Sequence, residues 1–185
     1  MIGRRVPLVV FLAVVWVPGL TLPALADLPN DLQAGTRVKV HGRLVGPRSM
    51  RAEQIEIHTK PGGEDELTAV LEKIDAPGKA LVAAGIRITT SDKTALEDAG
   101  GKPIAFRDLK QGQWIGVDGT LGQDGVLSAH EVSIKGAKPG RQTKFEGRVQ
   151  RVDAARNTFG LLGATVTVTP QTEITRRAGE RGASE

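Results

Sequence analysis

Part of this chain occurs twice, and this internal repeat limits the possible folds more than any other feature of the sequence. The first repeated pattern is Asp31-Leu32-x-x-Gly35-x-x-Val38-x-Val40-x-Gly42-x-Leu44, which recurs as Asp108-Leu109-x-x-Gly112-x-x-Ile115-x-Val117-x-Gly119-x-Leu121 at an offset of 77 (108 − 31). The second is Ile74-Asp75-Ala76 with Gly85 and Thr94, which recurs as Val152-Asp153-Ala154 with Gly163 and Thr172 at an offset of 78 (152 − 74). A register kept over this length indicates an internal duplication, with copies from about Asp31 to Leu96 and from about Asp108 to Ile174.

Within each copy the apolar residues alternate with polar ones. Val38, Val40 and Leu44 share one side of a segment whose other side is charged, which is typical of a half-buried strand. The segment that follows this strand in each copy is expected to form the second strand of a hairpin. The other block predicts three short strands at about 67–74, 79–83 and 85–90, with counterparts at about 144–152, 157–161 and 163–169. A short helix is expected near 105–110.

A three-strand block, a connection with a short helix and a two-strand block give the strand order of an OB-type barrel. We therefore expect a mostly β fold with two small OB-like antiparallel five-stranded barrels and little helix. Two divisions of the chain fit this expectation. Either the copies 27–100 and 101–177 each close on themselves, or 67–136 forms one contiguous barrel while 31–60 and 144–174 form the other. Residues 178–185 are expected to be a flexible tail.

The amino terminus predicts export. Arg4 and Arg5 precede an apolar run from Val6 to Val17, and Ala24-Leu25-Ala26 provides an A-x-A cleavage site. Proline and glycine interrupt the segment, which disfavours a membrane-spanning helix. Residues 1–26 are thus interpreted as a cleavable signal peptide. The mature protein is expected in the periplasm or the medium, without a stable transmembrane segment.

Composition excludes several function classes. The chain has no cysteine, so neither a disulfide nor a thiolate metal site is available. The signal segment holds two of the 25 Lys and Arg residues, which leaves 23 basic residues against 21 acidic ones. This balance, together with the few aromatic residues outside the signal segment, argues against a nucleic-acid partner. Those aromatic residues are Phe106, Trp114, Phe145 and Phe159.

No catalytic motif is present. The serines have no neighbouring base in a recognised spacing, and no glycine-rich loop opens a helix. We therefore expect no enzyme activity and no cofactor. His41, His58 and His130 with Glu53 or Glu56 suggest a metal site, but the repeat does not duplicate that set, so no metal site is expected.

The candidate ligand-binding residues lie where the two copies differ. The outward side of the first repeated strand carries Arg37, Lys39, His41 and Arg43, whereas the second copy has Trp114, Gly116, Asp118 and Thr120 there. A stripe of four potential cations fits an anionic polymer, lipid head groups or an acidic partner. The alternative is an ordinary solvated strand. Trp114 is interpreted either as an exposed anchor or as a lid over a barrel end.

The same residues carry a resemblance. The Asp108 to Leu121 pattern, with the Asp75, Gly85 and Thr94 block before it, resembles an exported bacterial family of domains of unknown function, family 5666. The resemblance implies OB-like repeats and no established activity. The expected function is a non-enzymatic OB-like binding or assembly module in the cell envelope, whose partner is unknown and would be an anionic envelope component or another envelope protein. The alternative is a metal-handling protein or an enzyme whose site is built from scattered His and Glu residues.

Overall fold

The computed structural model describes residues 28–59, 62–136 and 140–177. The expected signal peptide and the expected tail lie outside these residues. Twelve strands and two 3₁₀ turns, Phe106–Asp108 and Ala154–Arg156, make up the regular structure of the described part. The strands are β1 Arg37–Gly46, β2 Ser49–His58, β3 Asp65–Asp75, β4 Ala80–Ala83, β5 Ile86–Thr89, β6 Ala95–Glu97, β7 Trp114–Leu121, β8 Leu127–Lys135, β9 Thr143–Asp153, β10 Thr158–Leu161, β11 Ala164–Thr167 and β12 Glu173–Arg177.

The expectation of a mostly β fold is confirmed, and the predicted strands lie within a few residues of the observed ones. Alternating apolar residues place one side of each long strand in the core, as Leu67, Ala69 and Leu71 of β3 show by being fully buried. The first 3₁₀ turn lies where a short helix was expected. Strands β6 and β12 were not predicted.

Strands β3, β4, β5, β7 and β8 form a closed five-stranded barrel, here called the contiguous ring. Four of its strand pairs, β3–β4, β4–β5, β7–β8 and β3–β7, are antiparallel. The fifth pair, β5–β8, is parallel and closes the ring. This is the strand order expected of an OB-type barrel for residues 67–136.

Strands β1, β2, β9, β10 and β11 pair in the same cyclic order and are called the split ring, because two of them precede the contiguous ring in the chain. The pairs β9–β10, β10–β11, β1–β2 and β1–β9 are antiparallel, and β11–β2 is parallel. In addition, β6 pairs in parallel with β8, and β12 with β2.

The two rings meet along β3 and β9, which are antiparallel neighbours. Leu67 faces Phe145 at the centre of this seam, and both are fully buried. On either side Glu66 faces Glu146 and Thr68 faces Lys144. Since 144 − 66 and 146 − 68 both equal 78, a local two-fold axis at the Leu67–Phe145 pair exchanges the flanking pairs.

A second contact between the rings involves the β1–β2 turn. Arg48 has a positive φ of 52°. Its backbone N–H donates to the carbonyl of Ala84 at 3.0 Å. Its Nε donates to the carbonyl of Gly85, also at 3.0 Å. Two separate contacts therefore fix the orientation of one ring against the other.

Hydrogen bonds outside the strands repeat at the sequence offsets. Glu72 accepts from the N–H of Gly85 as Gln150 accepts from that of Gly163. The Thr94 hydroxyl donates to the carbonyl of Ala129 at 2.8 Å, and the Thr172 hydroxyl donates to that of Ala52 at the same distance. Corresponding positions thus make corresponding contacts, while the origin of the two rings by duplication stays a prediction.

Two glycines at equivalent positions let neighbouring strands approach closely. The pairing of β1 with β2 shifts register between His41 and Gly42, and that of β7 with β8 shifts between Asp118 and Gly119. A Cβ at Gly42 would lie 2.2 Å from the carbonyl oxygen of Arg51, and one at Gly119 would lie 2.2 Å from that of Ser128. Any side chain here forces the two backbones apart.

We predict that Gly42→Ala and Gly119→Ala destabilise the protein similarly, by about 1–3 kcal/mol or more, because each adds a methyl group where no space exists. The measurement is the free energy of unfolding in urea. Gly46→Ala in the same strand as Gly42 is the control, since a Cβ there lies 4.0 Å from its nearest neighbour, and its effect should stay within about 0.5 kcal/mol. Equal stability of all three variants would contradict the close approach.

Candidate ligand-binding surfaces

The basic stripe on β1 is largely neutralised, and Arg37 is not an outward cation. Arg37 is only 5% exposed. Its guanidinium donates to the carbonyls of Gly63 at 3.0 Å and Glu64 at 2.5 Å, and to Glu146 Oε1 at 3.1 Å. Lys39 Nζ lies 3.0 Å from the other carboxylate oxygen of Glu146. The expectation that Arg37 is solvated is therefore wrong, because β9 places a buried carboxylate beside it.

Glu146 is ionised in this arrangement. Burial alone raises the pKa of a carboxyl group, but the hydrogen bonds and charges of Lys39 and Arg37 outweigh it here, so the pKa of Glu146 lies below its usual value. The carboxylate thus compensates two cations at once. Glu146 was not recognised in the sequence, because it lies more than 100 residues from both partners.

The other two residues of the stripe differ from each other. Arg43 has a side chain that is 79% exposed, and its Nε lies 2.6 Å from Glu53. His41 is half-buried, and burial, followed by the charges of Lys144 and Lys39, lowers its pKa. The stripe offers little uncompensated charge, and its role in ligand binding stays a prediction.

Asp118 occupies the position in the contiguous ring that His41 has in the split ring (118 − 41 = 77). Burial, and then the charges of Glu66 and Glu131, raise the pKa of Asp118. Both groups are therefore held in an environment that disfavours their charged form. Lys144 of β9 pairs with Glu66 of β3 and so links the two rings between these positions.

The histidines and glutamates of the metal-handling alternative lie apart. His58 Nε2 lies 3.4 Å from Glu56, His130 Nδ1 lies 3.2 Å from Glu64, and Glu53 is engaged by Arg43. Over residues 28–59, 62–136 and 140–177, no three His, Asp or Glu side chains are grouped so that they could hold a metal ion. No helix of that part is long and apolar enough to cross a membrane.

A second basic surface lies on the outer side of β10 and β11, where sequence reasoning did not place one. Register puts Arg51 of β2 beside Thr167, and Arg151 of β9 beside Gly160. Both arginines are exposed. Neither has a carboxylate within ion-pair distance among the described residues. We call this surface the arginine–threonine face; its members are Arg51, Arg151, Thr158, Thr165 and Thr167.

A cleft of about 680 Å³ opens on this face, and Arg151, Thr158, Thr165 and Arg156 line it. Arg156 lies in the second 3₁₀ turn and pairs with Asp153 at 3.3 Å. β10 and β11 are the second and third strands of the split ring when its strands are counted from β9. An isolated arginine in each of two distant segments gives no sequence signal, so only the pairing of β2 with β11 reveals the face.

Trp114 begins β7 and is half-buried. It lines a cleft of about 270 Å³ at one end of the contiguous ring, together with Gln113, Ile134 and Lys135. The guanidinium carbon of Arg141 lies 5.9 Å from the centre of its ring, within range of a cation–π interaction. Trp114 is thus part of a small, mainly apolar cleft with Lys135 in its lining and Arg141 over the indole ring.

We predict that Arg37→Ser destabilises the protein by about 1–3 kcal/mol, since it removes one of the two cations that face the buried Glu146 and leaves the carbonyls of Gly63 and Glu64 without their donor. Arg43→Ser, which removes an exposed pair, should change stability by no more than about 1 kcal/mol. Urea unfolding at neutral pH measures both. A change for Arg37→Ser as small as that for Arg43→Ser would show that the buried pair makes little contribution to stability.

Comparison with known proteins gives a family but no activity. No curated protein and no solved structure matches the chain. A family model described as "Domain of unknown function (DUF5666)" matches residues 68–133 and 146–181, more than half of the chain. The first segment covers most of the contiguous ring, and the second starts 78 residues later (146 − 68), at the equivalent position of β9. The chain therefore belongs to the DUF5666 family of domains of unknown function.

Proposed function

We propose that this protein is an exported, non-enzymatic OB-like module that binds an anionic polymer of the cell envelope through the arginine–threonine face. Export is supported by the charged, apolar and A-x-A segments of residues 1–26. On this proposal the two rings form a duplicated scaffold, of which the split ring carries the polymer site.

The observation that carries the binding proposal is the pair of uncompensated arginines. Arg51 and Arg151 flank the outward threonines of β10 and β11, whereas most of the cations on β1 have carboxylate partners. Exposed guanidinium groups bind carboxylate, sulfate and phosphate groups, often through two parallel hydrogen bonds. The threonine hydroxyls between them add donors and acceptors that suit a polar chain.

The spacing favours a polymer over a small ion. Arg51 and Arg151 are three strand positions apart, because β11 and β10 lie between β2 and β9. At about 4.8 Å per strand this is a path of roughly 14 Å around the ring, with the threonines of β10 and β11 between the two arginines. A chain with repeated negative charges matches this row of separate groups better than one small anion does.

The face disfavours a nucleic acid as the polymer. Single-stranded nucleic acids are held by aromatic side chains on which bases stack. The aromatic residue of β10, Phe159, is only 1% exposed and so provides no stacking platform. Charge and hydroxyl groups alone suit an acidic polysaccharide better.

We predict that Arg51→Ser/Arg151→Ser weakens retention on a dextran sulfate matrix by at least tenfold in Kd at low salt, and that the difference shrinks as salt screens the charges. The control is Lys73→Ser/Lys93→Ser. It removes the same charge at two exposed lysines, one in β3 and one in the loop after β5, that have no carboxylate within ion-pair distance in the described part. Equal loss of retention by both double variants would mean that net charge, and not this face, determines binding.

For export, we predict that the protein recovered from the periplasm or medium begins at Asp27, since cleavage follows Ala26. Amino-terminal sequencing of the secreted protein measures this. Recovery of the chain from the membrane fraction with Met1 retained would contradict it.

A further inference from the structure

The cleft beside Trp114 has the features of a second binding site, separate from the arginine–threonine face. Trp114 begins β7 and Lys135 ends β8, and the two are paired across the strands. Arg141 lies over the Trp114 ring and donates from Nη2 to the carbonyl of Gly136 at 2.7 Å. Two cations thus flank one indole ring at the mouth of the contiguous ring.

A glycine lets Lys135 lie flat against the sheet. Gly116 is next but one to Trp114 on the same side of β7, and a Cβ there would lie 2.3 Å from Lys135 Cε and 3.0 Å from its Nζ. The same Cβ would lie 3.2 Å from the hydroxyl of Ser133. The lysine ammonium group and the serine hydroxyl therefore both border the place that a side chain of residue 116 would occupy, although no hydrogen bond joins them.

Two polar groups near this cleft, on residues that border Gly116 and Trp114, are buried without a hydrogen-bond partner. They are Ser133 Oγ, in a residue only 6% exposed, and Arg141 Nε. A buried polar group without a hydrogen bond costs about 1–3 kcal/mol, and such groups deserve an explanation. Lys135 and Arg141 also lack a carboxylate within ion-pair distance among the described residues. The charge of Lys135 does act on Asp118 from farther away, where it works against the effects that raise the pKa of that carboxyl group.

We propose that this cleft binds a single sugar ring that carries a carboxylate, as in a uronic acid. Lys135 and Arg141 would bind the carboxylate, Ser133 would bind a ring hydroxyl, and the indole of Trp114 would pack against the apolar C–H side of the ring. A volume of about 270 Å³ lies below the range of sites for drug-sized molecules and fits one ring. This proposal does not depend on the arginine–threonine face.

The split ring provides an internal comparison. Its equivalent cleft, of about 510 Å³, is lined by Arg37 and His58 in place of Trp114 and Lys135. There the guanidinium of Arg37 is fully occupied by Glu146 and two carbonyls. Of these two equivalent clefts, that of the contiguous ring combines an aromatic ring with cations that have no carboxylate within ion-pair distance in the described part, and that of the split ring does not.

Tryptophan fluorescence reports on this site directly. The chain has two tryptophans, Trp16 and Trp114, and Trp16 lies in the proposed signal peptide, so Trp114 is the only tryptophan of the mature protein; Trp16→Phe leaves it alone where that segment is retained. We expect glucuronate to change the fluorescence in a saturable way with a millimolar Kd. Glucose, acetate and inorganic phosphate should each bind at least tenfold more weakly, because each lacks either the carboxylate or the ring.

Variants then test the named contacts in the same background. Lys135→Gln and Arg141→Gln should each raise the Kd for glucuronate at least fivefold, and Gly116→Ala should do so by displacing Lys135. Lys73→Gln, on the same ring but away from the cleft, should leave the Kd unchanged. Urea unfolding identifies any variant that fails to fold. Ser133→Ala, which removes an unpartnered buried hydroxyl, should weaken binding without lowering stability.

Three outcomes would overturn the proposal. They are no saturable response to glucuronate, equal affinity for glucose or phosphate, and unchanged affinity in folded Lys135→Gln and Arg141→Gln variants. Arg51→Ser/Arg151→Ser should bind glucuronate normally while losing retention on dextran sulfate. The two binding proposals are therefore tested independently.

Discussion

The antiparallel pairing of β3 with β9 determines how the polar surface of this protein is built. Because Leu67 and Phe145 fill the centre of the seam, the outward sides of both rings join into one continuous sheet surface. One row of that surface runs across five strands through His41, Lys144, Thr68, Gly116 and Ser133. Neighbours on this surface come from both rings. The electrostatic environment of a residue is therefore set by side chains from strands that are distant in the sequence.

The local two-fold axis relates positions of the two rings whose side chains differ in chemistry. Arg37 and Trp114 are equivalent (114 − 37 = 77), as are Gly63 and Arg141 (141 − 63 = 78). In the split ring the cation is Arg37, which lies against Gly63 so closely that a Cβ there would come within 2.8 Å of Nη2. In the contiguous ring the cation is Arg141, which lies over Trp114. The same contact is kept, but in the contiguous ring it joins an aromatic ring to a cation without a carboxylate partner in the described part, which is why we propose the sugar site there.

The strands were predictable because apolar alternation and turn residues can be recognised within a short segment. The offsets of 77 and 78 also allowed each strand boundary to be inferred from both copies of the repeat. Strands β6 and β12 are three and five residues long, too short for alternation to be recognised. The exposure of Arg37 was predicted wrongly because its neutralisation depends on β9, and the sequence left open which half-repeats pair. Arg51 and Arg151 were missed for the same reason, since a face assembled from β2, β9, β10 and β11 has no contiguous motif.

Rigid strands make both proposed sites more effective than the same residues on loops would be. Arg51 and Arg151 project from paired strands, so their backbones lose no freedom when a polymer binds and only the side chains must become ordered. Lys135 is similarly constrained. Its aliphatic side chain packs over Gly116, and its Cα is fixed at the end of β8. If both sites bind acidic sugars, the seam between the rings holds them at a fixed separation. A chain long enough to span them would then bind more tightly than either site alone, because the second contact occurs at a high effective concentration.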